Sequence, residues 1–248
     1  MLCQRVIPIL TFCDGVLFRT KQFTPDYRYT LKFVDAWSAD EIIVLDVSRS
    51  GQGKRENFFE VVSNFARRCF VPLAAGGGVR SLDDVHRLLG IGADKVVVNT
   101  GALDDPSLVG EIARRYGSQC VVGVVDARKT QDGYEAMASF GARPTGLSAE
   151  AWARRLEADG AGEILVQSIE RDGSLMGYDL ELAKSVGASV RVPVLVAGGA
   201  GKWDHFADAL RIPGVSAACT SNIYHFTETS IASAKSFLAD AGFRVRTS

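Results

Sequence analysis

Short apolar runs rich in Val, Ile and Leu recur along this chain, separated by polar segments of a different period. The runs near 5–11, 41–47, 71–76, 95–99, 121–126, 163–168, 193–198 and 215–221 each have the length of one buried strand. Between them, Leu82 to Gly90, Pro106 to Tyr116 and Ala149 to Asp159 place apolar residues three and four apart, the spacing of a helix with one buried face. Eight strands, each followed by a helical segment within 248 residues, predict an α/β fold of the (βα)8 TIM-barrel type, whose usual length is about 250 residues. A doubly wound open sheet is the alternative, but it predicts neither of the regularities that follow.

The chain repeats itself. Val71-Pro72-Leu73-Ala74-Ala75-Gly76-Gly77-Gly78 returns as Val192-Pro193-Val194-Leu195-Val196-Ala197-Gly198-Gly199, and Gly92-Ala93-Asp94-Lys95-Val96 as Gly214-Val215-Ser216-Ala217-Ala218. The run from Arg5 to Thr11 likewise faces the run from Cys120 to Asp126. The expected organisation is one barrel domain over 1–248, made of half-barrels about 1–119 and 120–248. Site residues then belong at the C-terminal ends of the strands.

Composition narrows the function. With 47% hydrophobic and 23% charged residues the chain can bury a large core. A net charge of -1 gives no reason to expect nucleic acid or a membrane surface as partner. No long apolar leader or spanning run is present, which predicts a cytoplasmic protein. Cys3, Cys13, Cys69, Cys120 and Cys219 contain no C-x-x-C pair and read as reduced thiols. The histidines lack metal-ligand spacing, so neither a metal nor a cofactor is expected.

The glycine runs carry the chemistry. A glycine run after a barrel strand can be a plain tight turn, or it can bring backbone N–H groups close to an anion. Its duplication favours the second reading, because each loop is followed by a strand ending in small polar groups. Gly77 and Gly78 with Asn99 and Thr100 form one expected phosphate cradle, and Gly198 and Gly199 with Ser221 and Asn222 the other. The expected ligand is a small molecule with a phosphate at each end.

Over nearly its whole length the chain resembles the cyclase subunit of imidazole glycerol phosphate synthase. The motifs are Ala74-Ala75-Gly76-Gly77-Gly78, Gly92-Ala93-Asp94-Lys95-Val96, Tyr116-Gly117-Ser118-Gln119, Gly160-Ala161-Gly162-Glu163-Ile164-Leu165, Ser168-Ile169-Glu170-Arg171-Asp172-Gly173, Gly177-Tyr178-Asp179 and Gly198-Gly199-Ala200-Gly201-Lys202. The resemblance implies a partner glutaminase that feeds ammonia into the bottom of the barrel, for use at the top on a bis-phosphorylated ribonucleotide. It places a charged gate at Arg5, Glu41, Lys95 and Glu163 and a glutaminase contact at Asp94. Charges at the starts of apolar strands need one another, since an unpaired buried charge costs several kcal/mol.

The same resemblance exposes departures. The family closes its ring with two aspartates, and only Asp126 is present; the other position is Thr11, which cannot act as a carboxylate base. Asp14 precedes Gly15 in a turn and is a poor substitute. The lid segment from Phe18 to Tyr29 is shorter and more aromatic than the family's, with Arg19 in the place of a lysine. Phe140 replaces a small polar residue and Ala197 a serine. Asp46, Ser168 and Asp172 complete the candidate site residues. The pattern is similar to a divergent branch associated with surface-polysaccharide genes, in which barrel and glutaminase supply ammonia to a sugar amidotransferase. A genuine histidine-pathway cyclase with a rearranged acid–base pair is the competing expectation, and a non-catalytic scaffold binding a phosphorylated metabolite is a third.

Overall fold

The computed structural model describes residues 3–28, 39–49, 55–221 and 231–246, without the side chains of Arg19 and residues 25–28. Its strands are β1 (Arg5–Cys13), β2 (Val16–Lys21), β3 (Thr24–Arg28), β4 (Ile42–Asp46), β5 (Leu73–Gly76), β6 (Lys95–Val98), β7 (Val121–Thr130), β8 (Gly133–Ala138), β9 (Arg143–Ser148), β10 (Glu163–Ser168), β11 (Val194–Ala197) and β12 (Val215–Thr220). The helices described are α1 (Arg55–Ala66), α2 (Leu82–Gly90), α3 (Thr100–Asp104), α4 (Leu108–Tyr116), α5 (Ala149–Asp159), α6 (Leu180–Ser189), α7 (Trp203–Leu210) and α8 (Ile231–Asp240).

Eight parallel strands run β10-β11-β12-β1-β4-β5-β6-β7, and a β7–β10 ladder from Glu163↔Val122 to Ser168↔Ala127 closes the ring. This is the (βα)8 barrel. Alternation along each strand sorts its side chains into two cores: Ile7 and Ile9 of β1 point inward with Ile43, Val97, Val122, Leu165, Leu195 and Ala217, whereas Val6, Leu10 and Phe12 pack outward under the helices. Local signals fix the helices. Ser81 and Ser148 accept hydrogen bonds from the N–H groups of Asp84 and Ala151 at the starts of α2 and α5, and Gly160 ends α5 in the left-handed region. Asp179 caps α6 and also receives the Tyr134 hydroxyl at 2.7 Å.

Two strands outgrow the barrel. β1 turns through Asp14 and Gly15, with φ of 53° and 77°, into antiparallel β2, paired Cys13↔Val16 and Thr11↔Phe18. Two positive φ values in a two-residue loop make a type I′ hairpin, which Asp-Gly favours. β2 then turns through Gln22 and Phe23 into β3, so the segment expected as a lid starts as a double hairpin. At the other side β7 continues to Thr130 and folds back as β8 and β9. Both extensions rise over the C-terminal face.

Candidate active site and barrel gate

A cavity of about 280 Å³ opens at the C-terminal face, walled by Thr11, Leu45, Asp46, Gly77, Gly78, Asn99, Thr100, Asp126 and Gln167 and roofed by Phe23 and Phe140 from the extensions. A smaller lobe of about 30 Å³ shares Thr11, Thr20, Leu45 and Gln167 and continues to Gly198, Thr220 and Ser221. The glycine loops therefore border the two ends of one two-lobed space. They follow β5 and β11, which lie four strands apart around the ring.

Asp126 lines the cavity from β7, next to Gln167 of β10. Burial pushes its carboxyl up to about 7; the Asn99 amide, donating to Oδ2 at 2.7 Å, opposes that shift, and the Asp172 charge adds to it. A carboxyl titrating near neutrality can both give and take a proton there. Thr11 stands where the second family carboxylate is expected. Its hydroxyl donates to the Phe18 carbonyl across the hairpin and is 6% exposed, so its one proton is already engaged.

Asp172 lies 3% exposed in the loop after β10, under the β2–β3 turn. Its carboxylate accepts from Thr20 Oγ1 at 3.1 Å and the Phe23 N–H at 3.0 Å, and its carbonyl from the Gln22 N–H at 3.2 Å. The turn needs this support. Gln22 and Phe23 hold φ of 48° and 62°, which side-chain-bearing residues keep only where their surroundings over-determine them. Phe23 also packs on Met137 and Ile169, and its carbonyl accepts from Arg49 at 3.1 Å. Asp46 faces the cavity with Oδ1 bound to the Ser48 N–H at 3.0 Å.

Some expected site residues sit elsewhere. Ser168 does not line either lobe: Glu163, Leu165 and Gln167 point into the barrel, so Ser168 points outward, 1% exposed. Gln167 takes the place expected of it. The Asn99 side chain does not complete a phosphate cradle, because its Nδ2 hydrogens go to Asp126 and to the Met137 carbonyl at 3.2 Å. Asn222 and the Arg19 side chain lie outside the described residues, as does Tyr29.

Other cradle groups face the lobes. Gly77 (φ +94°) packs so close that a Cβ would lie 2.1 Å from the Asp46 carbonyl oxygen, and Gly199 (φ +105°) similarly lies against Gly177. The glycines are thus required by packing on their own account. Among the described residues, the N–H groups of Gly77, Gly78, Gly198 and Gly199 donate to no acceptor outside the strand ladders. Thr100 Oγ1 accepts from the Ser139 N–H at 2.9 Å, which leaves its proton available to a ligand. Sequence reasoning missed Arg80 at the large lobe and Thr220 at the small one, whose buried hydroxyl has no partner among the described residues. Arg80 stands two residues after the first glycine run, and that position was the available signal.

At the opposite end, four charged side chains form a closed alternating ring. Arg5 reaches Glu41 at 2.8 Å and Glu163 at 2.7 Å, and Lys95 reaches Glu41 at 2.9 Å and Glu163 at 2.7 Å. Burial works against the Arg5 charge, yet Glu163 and Glu41 outweigh it and its pKa rises. The Glu41 carboxyl is also raised, chiefly by burial and against the pull of Lys95. Ala217 and Ala74 are the register partners of Arg5 and Lys95, and the apolar interior continues from them along the strands with Ile7, Ile43, Leu165 and Cys219. Asp94 is exposed beside the ring and receives the Leu73 N–H at 2.8 Å.

Fold and site define a class: a parallel (βα)8 barrel with a charged ring at the N-terminal end and a two-lobed, titratable cavity at the C-terminal end. Residues 10–230 match the family model described as "Histidine biosynthesis protein". Over 252 aligned positions covering all of both chains, the protein is 43% identical to "Imidazole glycerol phosphate synthase subunit HisF" of Hyphomonas neptunium. The chain belongs to the histidine biosynthesis protein family, as a relative of its cyclase subunits. Among the described residues no helix is long and apolar enough to cross a membrane.

Proposed function

We propose that this protein is the ammonia-handling barrel of a glutaminase-coupled complex and that its cavity no longer performs the family's two-carboxylate ring closure. The observation that carries this reading is Thr11, whose hydroxyl proton is bound to Phe18 in the position of a catalytic acid. A single acid–base residue typically contributes about 10²–10⁴-fold, so a neutral replacement removes most of the rate. Ammonia released by a glutaminase docked at the N-terminal face, beside Asp94, passes the Arg5–Glu41–Lys95–Glu163 ring as the neutral molecule. The apolar interior rejects ammonium, whose desolvation is far more costly. At the C-terminal face, Gly77, Gly78, Thr100 and Arg80 in one lobe and Gly198, Thr220 and Ser221 in the other suit a phosphorylated ligand. Asp126 remains as one proton-exchanging group. The final acceptor is the acetamido group of a sugar, converted on a separate amidotransferase.

The second reading is a genuine cyclase, favoured by the full-length likeness to the Hyphomonas subunit. In that case Asp46 or Asp172, the other carboxylates bordering the lobes, partners Asp126. Expression in a histidine auxotroph lacking its own cyclase subunit separates the two. The first reading predicts no growth without histidine, and robust growth establishes the second.

A further inference from the structure

Asn99 has a side chain that does none of the tasks its position offers. It is the residue before α3, yet its side chain makes no capping hydrogen bond, and its backbone φ and ψ of -129° and -88° turn it away from the helix. Both Nδ2 hydrogens are directed to protein acceptors, Asp126 Oδ2 at 2.7 Å and the Met137 carbonyl at 3.2 Å. Asp126 and Met137 are themselves register partners across β7 and β8. The amide therefore bridges the two strands of one extension. Its Oδ1 is buried without a partner among the described residues, a desolvation cost that no folding requirement explains. The reversed amide would set Oδ1 against two acceptors, so one orientation is enforced.

We propose that Asn99 is the positioning residue of the Asp126 carboxyl: it pins Oδ2 to the wall and leaves Oδ1, which has no partner among the described residues, as the oxygen that exchanges a proton with the ligand. The amide binds the carboxylate more strongly than the neutral acid, so it also favours the ionised form of Asp126 against its burial. Asp46 on β4 and Arg80 before α2 line the same cavity, Arg49 after β4 lies over the roofing Phe140 ring, Arg128 stands two residues on along β7, and Asp172 follows β10. Of these, Asp172 raises Asp126, while Arg49 and Arg128 are held on the carbonyls of Phe23 and Gly141 at 3.1 and 2.7 Å. None of them replaces the Asn99 hydrogen bond.

The inference rests on the reading of this cavity as a proton-exchange site, but its test needs no substrate. Carboxyl-carbon NMR of the full-length protein, with Asp126 assigned by its loss in Asp126→Asn, should give a midpoint near 7. Asn99→Leu should move it up by about one unit or more. Asn99→Ala, which removes the donors without adding a charge, should raise it as well, and Asn99→Ser, which retains one donor, should recover part of the difference. The latter two decide the matter if the leucine variant does not fold. A midpoint that stays within a few tenths of a unit in folded variants overturns the proposal. An absent cyclisation or ammonia-transfer activity bears only on the function proposed above.

Discussion

Asp126 is held where its charge is costly, so removing the charge should stabilise the protein in a defined pH window. Its carboxyl titrates at about 7 in the fold against an ordinary value of 3.8. Between those values the folded state keeps a proton that the unfolded chain has lost. Stability therefore falls as pH rises, by about 1.4 kcal/mol per unit, and levels off above about 7. Moving the carboxyl from 3.8 to about 7 corresponds to at most ~4 kcal/mol, lost in full by pH 8. Asp126→Asn keeps the shape, and its carbonyl still accepts from Asn99, so it should match the wild type near pH 4 and exceed it at pH 8. At roughly 2 °C or more per kcal/mol for a chain of this size, the gain at pH 8 is ~5–10 °C in Tm. Thermal and urea denaturation from pH 4 to 9 reads it directly. An equal difference between the two proteins at every pH refutes the assignment of a neutral carboxyl to this wall.

Asp172→Ala removes the acceptors of Thr20 and the Phe23 N–H; protection of the Phe23 amide from hydrogen exchange should fall by about 10²-fold while core amides of β6 and β11 stay unchanged. Lys95→Ala opens the ring on one side and should leave glutaminase binding intact while uncoupling glutamine hydrolysis from product formation, measured as free ammonia per product. Thr11→Asp should give at most a trace of ring closure, since the altered lid still positions the substrate poorly and a 1 Å misplacement costs about 10²-fold.

The barrel was legible because its signals are short-range and repeated. All eight barrel strands fall where the apolar runs place them, and α2 and α5 carry the expected bounds because a serine cap or a glycine stop marks their ends. The ring at Arg5, Glu41, Lys95 and Glu163 forms because Arg5, Lys95 and Glu163 open their strands and Glu41 immediately precedes β4, all with inward parity. The β1–β2 hairpin had a readable signal in Asp14-Gly15, but the β2–β3 turn did not: Gln22 and Phe23 are poor turn residues, and Asp172, 150 positions from Gln22, holds them. Ser168 ends the strand expected at 163–168, but alternation with Leu165 and Gln167 turns it to the outer face. The direction of the Asn99 amide depends on where β7 and β8 place Asp126 and Met137, a tertiary fact that no local pattern records.

With Thr11 in its cavity, this barrel is proposed to handle ammonia without closing the ring. Purified protein supplied with saturating ammonium and the bis-phosphorylated ribonucleotide tests it without a partner, a gate or a delivery route. No cyclised product should appear above the uncatalysed background. Turnover at about 1 s⁻¹ or more, ordinary for a metabolic enzyme, contradicts it and makes the protein a working cyclase.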